Sequence, residues 1–191
     1  MEISFENKTI NIYREVHHQT KRIQESAESV VPDTDDDIGK LASVHTTVML
    51  KSKDVTSRGV TVSGEATASL LYITEDQSKV SFVRLSKGFS LDYEIADIEA
   101  DTVAQVDLNI VNCEARVVNP RKVSVTFELA GELSCYRQES LVTDTCLPQD
   151  SGEGLHARYE SCELMLANAA CEKTLSINEQ FSFPSGKPCP S

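Results

Sequence analysis

Three aspartates near residue 35 have the alternating spacing with which calcium-binding loops begin. Asp33, Asp35 and Asp37 would supply the first three carboxylates of an EF-hand loop. The pattern then fails, because Ile38 stands where the loop needs glycine and Val44 where it needs a bidentate glutamate. The cluster therefore favours a helix cap or a solvated turn, and we expect no metal ion and no cofactor.

The histidines and cysteines suggest no catalytic site. His17 and His18 are neighbours in a predicted strand, so their side chains point to opposite faces and cannot share a metal ion. Cys135 and His156 could be considered as a nucleophile and its base. Cys135, however, shares the strand face of its apolar neighbours and is predicted to be a buried, inert thiol. Nucleotide-binding loops and hydrolase motifs are absent from the sequence. We expect no catalytic residues and no enzyme.

Composition excludes several kinds of partner. The 191 residues are 40% hydrophobic and 25% charged, which is ordinary for a globular chain. A net charge of -12 repels phosphate backbones and anionic lipids, so we expect neither nucleic acid binding nor membrane insertion. The N-terminus lacks a basic segment followed by an apolar one, and no signal peptide is predicted.

Period-two alternation from about residue 44 to 136 predicts an all-β protein. The pattern indicates a strand at Val60–Tyr72, two further runs at Val80–Leu85 and Phe89–Ile95, and a turn at Asn119–Arg121. A parity switch near Ile110 predicts a β-bulge there. We expect an antiparallel sandwich or barrel-like module of about seven to nine strands. One short helix is predicted at residues 33–42, started by the clustered aspartates.

Turn-rich sequence after residue 138 predicts a division of the chain. We expect a β module at residues 1–138, a linker or long loop at 139–156, and the start of a second, apparently truncated module at 157–191. The last segment repeats the first at an offset of about 152 residues, which places Ile23 on Leu175 and Val31–Asp33 on Phe183–Ser185. A longer parent protein is expected.

Several short motifs carry a family resemblance over about Thr9 to Tyr136. They are Val30-Val-Pro-Asp33 followed by Asp37-Ile38, Val62-Ser-Gly-Glu65 with Leu71-Tyr-Ile73, Phe89, and Glu114-Ala-Arg-Val-Val-Asn-Pro-Arg-Lys-Val123. Together these motifs resemble the SPOCS domain of spore-coat morphogenetic proteins from clostridia and their relatives. Asp36 departs from the pattern, which has proline there. The resemblance implies a scaffold role in the spore coat and brings no catalytic residues with it.

The densest charge cluster within the resemblance consists of Glu114, Arg116, Arg121 and Lys122. One interpretation is a docking surface whose arginines bind carboxylates of a partner. The alternative is a set of intramolecular ion pairs, for example between Glu114 and Arg116 on one strand face. Both remain open from the sequence.

Three alternative functions remain open from the sequence, and the resemblance supports the first of them. The first is a non-enzymatic structural and protein–protein interaction module in spore coat assembly, with other coat proteins or further copies of itself as partners. The second is a subunit of a spore-surface filament or appendage, joined by strand addition and disulfides. The third is a glycan or cell-wall-binding sandwich, which the absence of Trp disfavours. The expected location is the mother-cell cytoplasm and finally the spore coat or surface.

We predict that Cys146 and Cys189 react first with a thiol reagent and form intermolecular disulfides. Both stand beside proline and turn residues, where exposure is expected, whereas Cys113 and Cys135 have the apolar parity of their strands. Oxidation should yield multimers that disappear when the two late cysteines are changed to serine, as read by non-reducing electrophoresis. Faster labelling of Cys113 and Cys135 would overturn the assignment.

Overall fold

Six long antiparallel strands make up most of the described chain. The computed structural model describes residues 6–96, 98–99, 101–146, 158, 163, 165–171, 173, 175 and 177–179. The strands are β1 (Glu6–Val30), β2 (Ile38–Thr56), β3 (Gly59–Thr74), β4 (Val80–Glu94), β5 (Val103–Asn119) and β6 (Lys122–Cys146). The all-β class predicted from the alternation is confirmed.

The strands form two sheets of three, which we call the β6 sheet and the β3 sheet after their central strands. The β6 sheet has the order β1-β6-β5, and the β3 sheet has the order β2-β3-β4. The facing sides of the two sheets bury one apolar core, to which the central strands contribute Val62, Leu70, Tyr72, Val125, Phe127 and Leu133, each at most 1% exposed. The central strands are buried because they have a neighbouring strand on each side and the other sheet across the core.

The prediction of seven to nine strands is wrong, since the described residues form six. Some of these strands are so long that their sequence pattern suggests two separate strands. β4 is an example, because it continues without a break through Gly88. The buried side chains on either side of that glycine, Leu85, Phe89 and Leu91, all lie on the same face of this one strand. The first and last strands each have 25 residues. β6 also continues past the predicted module boundary at residue 138.

Local predictions around the β5–β6 hairpin are confirmed. The register of β5 shifts between Ile110 and Asn112, where the bulge is predicted. Beyond the bulge Cys113 lies opposite Phe127, and the turn falls between Asn119 and Lys122. Within one hairpin, the sequence therefore predicts which residues lie opposite one another, since the turn sets the register.

The predicted short helix at residues 33–42 is not formed. The chain turns through Asp33–Asp37, and β2 begins at Ile38. Val31 and Ile38 are both buried in the core, so the turn is anchored at each end. Its carboxylates contact cations instead of capping a helix: Asp36 pairs with Lys79, while Asp37 pairs with Arg121 at 2.7 Å.

Arg121 joins the β1–β2 connection to the β5–β6 turn through a set of contacts that we call the Arg121 clamp. Its guanidinium group bonds Asp37 and lies 3.3 Å from a carboxylate oxygen of Asp33. It also donates to the carbonyl oxygens of Val31, at 3.2 Å, and Pro32. The backbone N–H of Val31 donates to the Arg121 carbonyl oxygen at 2.8 Å, so both chains are held by main chain as well as side chain.

We predict that Arg121→Ala lowers the free energy of unfolding by about 2 kcal/mol, since it removes charge-assisted hydrogen bonds from a partly buried group. Urea denaturation measures the change. Arg116→Ala is the matched control, because Arg116 is exposed and has no ion pair within the described residues; its effect should stay within about 0.5 kcal/mol. Equal effects of the two substitutions would contradict a structural role for the clamp.

Candidate interaction surface

The four residues of the predicted docking cluster have two different environments. Glu114 and Arg116 lie on the exposed side of β5, opposite Thr126 and Ser124 of β6. Arg121 belongs to the clamp, and Lys122 pairs with Glu28 of β1 at 2.6 Å. Two of the four charges therefore already have carboxylate partners within the chain.

Glu114 and Arg116 form no ion pair with each other in the part of the chain that the structure describes. The intramolecular pairing considered for these two residues is thus not observed. Their charges are presented to solvent on adjacent positions of the same strand face. If this cluster docks a partner, the structure narrows the available charges to Glu114 and Arg116.

A groove of about 700 Å³ runs beside these two residues, between edge strands of the two sheets. One wall is the β2 segment from Leu41 to Val44, and the other is the β5 segment from Cys113 to Arg116. The register of β2 shifts between Leu41 and Ser43, next to the groove. Because each wall is the edge of a sheet, backbone N–H and C=O groups there are available to an extended peptide.

The groove also gives access to a thiol. Cys113 is half-buried beside it, whereas Cys135 is 1% exposed in the core. Burial raises the pKa of both thiols, so both are neutral near pH 7. Cys189 and the side chain of Cys146, the predicted sites of intermolecular disulfides, lie outside the described residues.

A second cluster on the outer face of the β6 sheet joins a serine, a histidine and a glutamate. His18 Nδ1 lies 3.0 Å from Ser134 Oγ, and His18 Nε2 lies 3.5 Å from Glu132 Oε1. They line a groove of about 400 Å³ together with Glu15 and Asp107. As predicted, the neighbouring His17 points the other way: it pairs with buried Cys135, and its Nε2 is buried without a hydrogen-bond partner in the described chain.

The geometry of the serine cluster does not favour acyl transfer. Such chemistry needs free N–H donors beside the nucleophile to stabilise the oxyanion. Ser134 lies on the central strand β6, whose backbone is paired with His18 of β1 on one side and Gln105 of β5 on the other. The His18 side chain is also 45% exposed, so water is not excluded from the cluster.

The sequence did not predict this cluster or the β2 wall of the groove, because both depend on contacts between strands that are distant along the chain. His18 and Ser134 are 116 residues apart, and they meet because the first strand pairs with the last. No turn fixes that register, so side-chain parity alone could not reveal it.

Comparison with known families adds a finding about these strands. Residues 37–118 match the family model described as SipL, SPOCS domain. Over these residues the chain is similar to the SPOCS domain. Comparisons with curated proteins and with solved structures give no match.

The SPOCS match covers β2, β3, β4 and nearly all of β5. It therefore contains the whole β3 sheet, together with Glu114, Arg116 and most of the groove between β2 and β5. Arg121 and the strands β1 and β6 lie outside it, although they complete the sandwich. Among the described residues there is no helix that could span a membrane.

We predict that native Cys113 reacts with a thiol reagent at a measurable rate, while Cys135 reacts only when the chain unfolds. The Cys113 rate should keep rising with pH beyond the ordinary thiol range, because burial raises its pKa and the thiolate is the reactive form. Peptide mass spectrometry after timed labelling measures both rates. Labelling of Cys135 as fast as Cys113, in the absence of denaturant, would contradict the observed packing.

Proposed function

We propose that the chain is a non-enzymatic structural module of spore coat assembly, which binds other coat proteins or further copies of itself. The observation that carries the proposal is the SPOCS match over the strands of the β3 sheet. The family suggests a role connected with sporulation. A coat location after synthesis in the mother cell follows from the scaffold role and is part of the same proposal.

The structure supports binding rather than catalysis as the activity of this module. The two sheets have four edge strands, and one pair of edges borders a groove beside Glu114 and Arg116, which have no ion-pair partner among the described residues. The serine cluster lacks the free backbone donors that acyl transfer needs. The net charge of -12 makes a protein partner more favourable than nucleic acid.

A spore-surface filament is the second candidate, favoured by one contact. The backbone N–H of Tyr13 donates to the carbonyl oxygen of Ala167 at 2.6 Å, so the C-terminal segment touches a sheet edge. Repetition of such a contact from copy to copy would build a linear assembly.

We predict that a fluorescent fusion of the chain, made in the mother cell of a spore-forming host, gathers as a ring around the forespore. Arg116→Glu should weaken the ring by reversing the exposed charge beside the groove. Arg84→Glu is the matched control, since Arg84 is an exposed arginine on β4, which is the edge of the β3 sheet opposite to the β2 wall of the groove. Fluorescence microscopy measures ring and diffuse signal.

The two substitutions separate two ways in which the proposal can fail. Diffuse signal from the unmodified chain would contradict the coat function itself. A ring that Arg116→Glu and Arg84→Glu leave equally strong would retain the coat function and exclude Glu114 and Arg116 as its docking residues.

A further inference from the structure

The first half of β1 and the end of β6 form a two-stranded extension of the β6 sheet, which we call the ribbon. β5 begins opposite Tyr136, so beyond that point only β1 residues Asn7–Arg14 and their β6 partners remain paired. Two strands without a facing sheet are marginally stable in water. The outer edge of β1 is thus a row of backbone groups that a further strand would stabilise.

One residue of the C-terminal segment already occupies this edge. Tyr13 and Ala167 form an antiparallel bridge, in which the Tyr13 N–H donates at 2.6 Å. The register of the bridge, continued in both directions, sets Met165 opposite Glu15 and Ala169 opposite Asn11. A strand along this register would extend the ribbon to three strands.

The described part of the C-terminal segment, within residues 163–179, forms few backbone contacts and buries little apolar surface when it makes this contact within its own chain. Its bridge to Tyr13 is isolated, and large apolar side chains remain in water: Met165 is fully exposed, Leu175 is 74% exposed and Ile177 is 81% exposed. On the ribbon, Val142 of β6 is itself 60% exposed. Apolar surface on both elements therefore lacks cover, and burial of about 25 cal/mol per Å² favours any contact that supplies it.

We propose that residues 165–171 add as a strand to the free β1 edge of a second copy of this chain. Exchange between copies keeps the observed Tyr13–Ala167 contact and allows the exposed apolar side chains of two chains to cover one another. The connection permits exchange, since the 21 residue steps from Cys146 to Ala167 reach up to about 70 Å. Strand exchange would be one way in which the proposed scaffold binds further copies of itself, and only its biological role rests on the proposed function.

Disulfide trapping tests the exchange directly. The paired Cα atoms of an antiparallel bridge are about 5.5 Å apart, within reach of a disulfide. A ¹⁵N-labelled Tyr13→Cys chain is mixed with an unlabelled Ala167→Cys chain and oxidised. We expect a cross-linked peptide with one heavy and one light half. A cross-link found only within single chains that carry both substitutions, and never in the mixture, would overturn the proposal.

Proline substitution gives an independent measurement with a matched control. In the proposed strand Ala167 and Tyr13 form a hydrogen-bonded pair, so Ala167→Pro removes an N–H that this pairing directs at Tyr13, whereas Asn168→Pro removes one that it directs away from β1. Both residues are exposed and lie outside the sandwich, so neither substitution should unfold the sandwich, which urea denaturation checks. Sedimentation velocity should show loss of oligomers for Ala167→Pro and their retention for Asn168→Pro.

The outcomes distinguish this inference from the proposed function. Oligomers that survive Ala167→Pro without a heavy–light cross-link would overturn strand exchange and leave the coat function standing. The heavy–light cross-link together with a diffuse fusion protein in sporulating cells would support strand exchange and contradict the coat function.

Discussion

The two sheets depend on the Arg121 clamp for their connection at one end of the molecule. The chain leaves the β6 sheet after β1 and enters the β3 sheet at β2, and the link carries the acidic turn Asp33–Asp37. One guanidinium group pairs with two of these carboxylates and donates to the carbonyl oxygens of Val31 and Pro32. Arg121 pairs with Asp33 and Asp37 of the calcium-like spacing, and Lys79 pairs with Asp36 between them.

Two lysines make corresponding contacts between the sheets along their edges. Lys21 of β1 donates to the Asp92 carbonyl oxygen of β4, and Lys53 of β2 donates to the Ala104 carbonyl oxygen of β5. Each lysine lies on the inner face of an edge strand, where an apolar residue is the usual choice. Inward-pointing charges at such positions bind exposed carbonyl groups and disfavour pairing with foreign strands. The edges of the core are therefore polar, although its centre is apolar.

Features within one hairpin could be predicted from the sequence, whereas contacts between distant strands could not. The bulge near Ile110 and the pairing of Cys113 with Phe127 follow from side-chain parity and a single turn. Arg121 lies 84 residues from Asp37 in the sequence. No local pattern predicts that it binds the carboxylates of the acidic turn, which the sequence analysis assigned to a helix cap. The excess of predicted strands has a related cause, since a run that appears to end at Gly88 continues in space.

The four sheet edges differ in how well they resist further pairing, which bears on the proposed strand addition. Bulges interrupt β2 at three positions and β5 at two, and a bulged edge presents its backbone groups out of register to an incoming strand. The regular edge of β4 is contacted by Lys21 and by the ion pair of Lys87 with Glu25. The ribbon segment Asn7–Arg14 has no register shift, and on its outer edge the described chain makes a backbone contact only at Tyr13. By elimination, this part of β1 is the edge on which strand addition costs least distortion.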